Sequence, residues 1–129
     1  MIWSSHLPFN LSSSGGAIGV GKNSGCPFCP LIIKTKVWSH DPVTDIFVVT
    51  DLNSRGYKYR LLAVGSGSYW HRPWEQYRKE EKQAIIDTLM QVVHQHEEEK
   101  RGRLINLDTI HFSYPAHGHI QANMGEWCE

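Results

Sequence analysis

A single long helical pattern constrains this chain most. Ile85, Ile86, Leu89, Met90, Val92 and Val93 recur at three- and four-residue intervals in the otherwise polar segment that follows Trp74. Pro73 suits the approach to a helix start, Glu75, Glu80 and Glu81 lie early, and Lys100, Arg101 and Gly102 close the segment, as the helix dipole and C-cap preferences require. Its apolar side is one stripe wide, enough to cover one face of a sheet. Short β-type runs surround it, over residues 31–38, 45–51 and 57–64 before the helix and 104–112 and 117–124 after it. Turn residues separate them, in His40-Asp-Pro-Val-Thr-Asp45, Leu52-Asn-Ser-Arg-Gly56, Gly65-Ser-Gly-Ser68 and Tyr114-Pro115. One helix among about five strands gives an α+β fold, an antiparallel sheet with the long helix packed on one side.

Residues 1–25 form a Ser/Gly-rich N-terminal arm, expected to be flexible, and residues 26–129 the folded domain. Within the arm, Gly16 to Asn23 nearly spells a phosphate-binding P-loop. It lacks the preceding strand, the following helix and the Ser or Thr that would bind magnesium. Lys plus Arg (13) balance Asp plus Glu (13), which removes a global electrostatic argument for extended nucleic acid or an acidic membrane as partner. A small-molecule ligand is the better expectation. No run of about 18 apolar residues and no signal-like start occur, so a cytoplasmic protein is expected. Three cysteines, two of them in a C-x-x-C pair, suit a metal or redox site better than a disulfide framework, and Cys128 stands apart.

Two clusters carry chemistry. In an extended strand His117, His119 and Gln121 would share one face while Gly118, Ile120 and Ala122 line the other. Such a row can hold a metal or a phosphate, or supply a nucleophile. The other cluster is Cys26-Pro-Phe-Cys29.

These elements together resemble the histidine triad (HIT) superfamily over residues 26–124. Cys26-Pro-Phe-Cys29 stands where bacterial members carry a zinc pair, the stretch from Lys36 to Asp51 resembles their first hairpin, and His71 follows the third strand. The spacing of His111, Pro115 and His117-Gly-His119 is most similar to the scavenger mRNA decapping branch. His-Gly-His-Ile-Gln, with Gln in the third place, instead resembles galactose-1-phosphate uridylyltransferases and diadenosine-tetraphosphate phosphorylases. The resemblance implies a homodimeric nucleotide hydrolase or nucleotidyltransferase. Its substrate would be a nucleotide conjugate, a dinucleoside polyphosphate or a cap-like dinucleotide, attacked at the α-phosphate.

By that resemblance His119 is the nucleophile, forming a covalent nucleotidyl-histidine that water or an acceptor resolves. An imidazole of ordinary pKa, about 6.5, is largely neutral at physiological pH, and a hydrogen bond to its other nitrogen would fix the tautomer. Gln121 would donate to a non-bridging phosphate oxygen. It cannot titrate, and a HIT hydrolase has His there, which favours transfer over hydrolysis. Cys26, Cys29, His71 and His117 would complete a structural zinc tetrahedron. His117 could instead line the phosphate site, as in zinc-free members. Asp51 would accept from the ribose hydroxyls, and Phe28, Leu31, Val49 and Leu52 would form the base slot. His111 and Ser113 stand at phosphate-contacting positions, although the family's Gly-Gln-Ser stretch is replaced by Ser113-Tyr-Pro-Ala116.

Plainer readings accompany these. Asp51 before Leu-Asn-Ser suits a turn, and the apolar strand residues suit a core. Trp70 and Trp74 suit anchors for the helix start better than a base stack. His94 and His96, two apart on a helix, face different directions and share no ligand. A zinc-stabilised nucleotide-binding module without turnover is the alternative from another class. A thiol redox role for Cys26 and Cys29 fits poorly, because prolines bracket the pair and strand-like sequence follows.

Overall fold

The computed structural model describes residues 25–109 and 114–127. The Ser/Gly-rich arm up to residue 24, the P-loop-like stretch, His111, Ser113 and Cys128 lie outside them. Five strands, β1 (Val37–Asp41), β2 (Ile46–Thr50), β3 (Tyr59–Gly65), β4 (Arg103–Asp108) and β5 (Ile120–Gly125), form one sheet in the order β1-β2-β3-β5-β4. Every neighbouring pair is antiparallel. Helix α1 (Lys79–Glu98) packs against one face, as the apolar stripe requires. No helix among the described residues is long and apolar enough to cross a membrane.

Alternation along the strands divides the sheet cleanly. Ile46 and Val48 of β2, Leu61 and Ala63 of β3, and Ile120, Ala122 and Met124 of β5 are buried with Ala84, Ile85, Leu89, Val92 and Val93 of α1 in one hydrocarbon core. The intervening residues point away from the helix. There Val49, Leu62 and Val64 join Cys26, Phe28 and Cys29 in a second, smaller cluster.

Helix α1 starts with the Arg78 backbone N–H donating to the Glu81 carboxylate at 2.8 Å, which closes the first turn. Glu81 is buried and also receives Arg72 at 3.0 and 3.3 Å and the Tyr69 hydroxyl. Burial opposes its ionisation, but these donors overcome that penalty and hold its carboxyl below the usual range. At the other end Lys100, at φ 59°, takes the left-handed conformation. Gly102 is needed for space instead, since a Cβ there would lie 3.0 Å from the Gly125 carbonyl and the Tyr59 hydroxyl.

Two strand assignments from sequence shift. Residues 31–36 are apolar enough for a strand, yet ordered pairing starts at Val37, and the segment runs beside the sheet with Ile32 and Ile33 exposed. The last strand starts at Ile120 rather than His117. Ahead of it, the Gly118 N–H donates to the Arg72 carbonyl at 2.7 Å, so this backbone is tied to a loop and not to a neighbouring strand.

Candidate active site and metal centre

Trp70, fully buried and anchored by its indole N–H to the Thr44 carbonyl at 2.9 Å, sets the turn that ends β3. Its ring would overlap a Cβ on Gly65 at 2.2 Å, so only glycine fits. The Gly65 carbonyl then accepts from His117 Nε2 at 2.7 Å. A carbonyl can only accept, so the proton of His117 sits on Nε2 and the lone pair on Nδ1.

That Nδ1 lies 3.5 Å from Cys26 Sγ and 3.3 Å from Cys29 Sγ, and His71 Nδ1 lies 3.3 Å from Cys29 Sγ. The cysteine loop is strapped to the end of β3 by the Gly67 N–H on the Phe28 carbonyl and the Leu31 N–H on Ser66 Oγ. His71 follows the 3₁₀ turn Ser68–Trp70. Elements 91 residues apart thus bring four donor atoms within 4.8 Å of one another, a cluster that could hold a metal ion. Burial, with Cys26 beside it, pushes the Cys29 thiol up to about 12, so its thiolate is stable only against a positive charge. Burial likewise drives His117 down to about 4, which keeps it a neutral ligand.

Gly118 is fixed by space. A Cβ there would lie 2.8 Å from the Trp74 backbone, and the Tyr77 hydroxyl braces the same peptide, 3.1 Å from the Gly118 carbonyl and 2.6 Å from that of Trp70. Trp70 and Trp74 therefore act as anchors before the helix.

On the sheet face opposite α1, a cavity of about 260 Å³ opens between residues 31–35 and 49–53. His119 and Gln121 lie at its sheet side, with Phe28, Leu31, Val49, Leu62, Asp51 and Leu52 around it. His119 is 2 % exposed, and its Nδ1 donates to the His117 carbonyl at 2.8 Å, leaving the lone pair on Nε2. Burial lowers its pKa, so the neutral form dominates. Phe28 packs its edge against both imidazoles at centroid distances of 5.1 and 5.2 Å. Gln121 is 4 % exposed, and its side-chain oxygen meets no donor among the described residues. His117, by contrast, does not line the cavity, because both its ring nitrogens face the cluster and Gly65.

Asp51 is a turn residue that also borders the cavity. One oxygen caps the turn through the Asn53 N–H at 3.1 Å, and the residue also lines the cavity. Leu52 is 74 % exposed at the rim. The two helical histidines diverge, with His96 buried under Tyr59 and Trp38 and His94 exposed beside Glu97.

A polar network that the motifs did not indicate continues behind the cavity. Arg60, 2 % exposed, donates to Asn123 Oδ1 at 2.6 Å and to Asp108 Oδ2 at 3.3 Å, with Asp51 3.9 Å away. Asn123 in turn donates to Asn106 at 2.7 Å. The signal was present in parity, because Arg60 shares a face with Leu62 and Val64, and Asn123 with Gln121. No protein-family model, curated protein or solved structure matches the chain.

Proposed function

We propose that the chain is a HIT-like nucleotidyltransferase or hydrolase that works through His119, with a structural zinc ion beside the site. The observation that carries this reading is the fixed tautomer of His119, held by the His117 carbonyl so that Nε2 carries the lone pair beside a cavity that also presents Gln121 and Asp51. Nε2 forms a bond to the α-phosphorus while the bond from phosphorus to the leaving group breaks. Water or an acceptor phosphate then displaces the imidazole. Gln121 offers its amide N–H to a non-bridging oxygen, and its side-chain oxygen, buried without a partner among the described residues, is left to accept from a donor of the ligand. Asp51 faces the ribose, and Phe28, Leu31, Val49, Leu52 and Leu62 flank the base. Among the described residues the titratable groups lining the cavity are Lys34, Asp51 and His119. Gln121, which cannot titrate, stands where a HIT hydrolase has its third histidine, which favours leaving groups that need no proton, such as phosphates, and hence transfer. Exposed Ile105 and Leu107 on the edge strand β4 support a homodimer, and the reading places the protein in the cytoplasm.

Zinc fits the donor set. Bonds of about 2.3 Å to sulfur and 2.0–2.1 Å to nitrogen at a tetrahedral angle separate the two ligand atoms by roughly 3.6 Å. Three of the S···N spacings in the cluster, 3.3–3.5 Å, are close to this. Cys26, Cys29, His71 and His117 would hold the ion, which supplies cross-linking and charge balance for the thiolates. Because His117 is both a ligand and the acceptor for His119, the centre fixes the attacking ring.

The test is incubation with adenosine triphosphate, a nucleotide sugar, a dinucleoside polyphosphate and a cap dinucleotide, followed by a base quench and peptide mass mapping. A base-stable, acid-labile nucleotidyl adduct on His119, lost in His119→Asn, is expected. Nucleotide binding with neither adduct nor product would replace the enzyme by the alternative, a zinc-stabilised binding module, for which the untitratable Gln121 speaks. No nucleotide binding at all would overturn both.

A further inference from the structure

A second cavity, of about 350 Å³, lies on the helix side of the sheet, lined by Trp38, Thr50, Lys58, Tyr59, His96 and Arg101. Its volume is within the usual range for ligand pockets, about 300–1,000 Å³. Thr50 lines both cavities, so they share a wall at the end of β2.

Aromatic faces and positive charge meet here. The rings of Trp38 and His96 are 4.4 Å apart and nearly perpendicular, and Tyr59 lies 5.5 Å from His96. The Trp38 indole N–H is fixed on Thr50 Oγ1 at 2.9 Å, which sets the orientation of the ring. Lys36 Nζ lies 4.1 Å and Arg101 Cζ 5.1 Å from the Trp38 ring centroid. Lys58 is drawn in by the Arg101 carbonyl at 2.9 Å. Among the described residues Glu126 pairs with Lys58 and Glu99 with Arg101, both carboxylates well exposed, and the positive charge left in excess is that of Lys36 over the Trp38 ring.

His96 adds a buried donor. Arg101 Nε donates to its Nδ1 at 3.2 Å, so Nδ1 accepts and the proton sits on Nε2. The ring is 2 % exposed, and Nε2 meets no acceptor among the described residues. Buried donors of this kind are rare in native folds unless something else accepts from them.

We propose that this helix-side cavity binds an aromatic organic anion, its ring against Trp38 and Tyr59 and its charged head at Lys58 and Arg101. The complementary chemistry is a flat apolar body with one carboxylate or phosphate ester. A bare inorganic anion lacks the body, and a neutral ring lacks the head. The site is independent of the chemistry assigned to His119.

The test is titration of the full chain with 2-naphthoate, 2-naphthyl phosphate, 2-naphthamide and inorganic phosphate. The readout is the Trp38 indole N–H resonance, assigned by its loss in Trp38→Phe. Saturable shifts with naphthoate or naphthyl phosphate are expected, the tighter of the two naming the preferred head. Binding of naphthamide should be at least tenfold weaker, and phosphate should leave the resonance unmoved. Lys58→Gln/Arg101→Gln removes both cations and, with Arg101, the donor to His96 Nδ1, and its amide spectrum checks the fold. It should weaken naphthoate tenfold or more while leaving naphthamide unchanged. Equal affinity for acid and amide, shifts confined to the His119 side, or no saturation up to the solubility limit would each overturn the assignment.

Discussion

The two faces of the sheet are made by the same strands and do opposite work. On β3 and β5 the residues at one parity, Leu61, Ala63, Ile120, Ala122 and Met124, are zipped into hydrocarbon beneath α1. Those at the other parity include Arg60 and Asn123, equally buried but held by hydrogen bonds and an ion pair, and Gln121, whose side-chain oxygen meets no donor among the described residues. A step of one residue separates a core from a site. The helix-side face is stabilised by burial, roughly 25 cal/mol per Å² of apolar surface, and tolerates loss of volume poorly. The open face depends on each polar group finding a partner, and Gln121, whose side-chain oxygen meets no donor among the described residues, lies beside the cavity.

The sharpest way to break the comparison is at the metal centre, where the open face lacks a helix to hold it. Wild-type protein is expected to carry close to one zinc per chain by elemental analysis, and Cys26→Ser to carry none. The loss should destabilise by more than about 4 kcal/mol, the range that lost metals and collapsed cores share. Undiminished metal in Cys26→Ser would remove the centre from the account.

Next is the core beneath the helix. Leu89→Ala empties a fully buried position and should cost about 2–5 kcal/mol in denaturant melts, whereas His119→Asn should change stability by less than about 1 kcal/mol while abolishing the adduct. Reversed magnitudes would mean that His119 belongs to the core. Gly118→Ala is smaller and more local. Its added methyl meets the Trp74 backbone, so a shift costing about 1–3 kcal/mol and a displaced His119 are expected, seen as a lower melting temperature together with a lower rate.

The smallest effect concerns His96. Burial first, then Arg101 and Lys36, hold its pKa below the ordinary value. The unfolded chain therefore takes up a proton near pH 6.5 that the native state refuses, and stability falls as pH drops through that value. Glu81, whose folded pKa is also lowered, loses its contribution only at more acidic pH. His96→Phe should make the upper of these two windows, which His117 and His119 share, shallower in pH-dependent melts and leave the lower one in place.

Much of this was legible in the residues. The helical period of 85–93 and the short β runs gave the α+β sheet, the two chemical motifs named three of the four side chains that cluster, and the family resemblance supplied His71. Residues 31–36 misled because an apolar run has no period to distinguish a paired strand from a cavity wall. Arg60 and Asp108 escaped notice because charged residues in strand-like runs ordinarily face water. Only the register, which sets Asp108 against Gln121 and Arg60 against Asn123, makes them a network. The glycines of the motif were visible, but their reasons, the Trp70 ring and the Trp74 backbone, come from distant contacts.

The central claim is that His119 presents a deprotonated Nε2 to a nucleotide. Long-range nitrogen–proton correlation spectra of imidazole-labelled protein, recorded with and without adenosine monophosphate, measure it directly. The account predicts a neutral ring with the proton on Nδ1 and a response of Nε2 to the nucleotide that Cys26→Ser weakens. A proton on Nε2, or a ring indifferent to every mononucleotide offered, would contradict it.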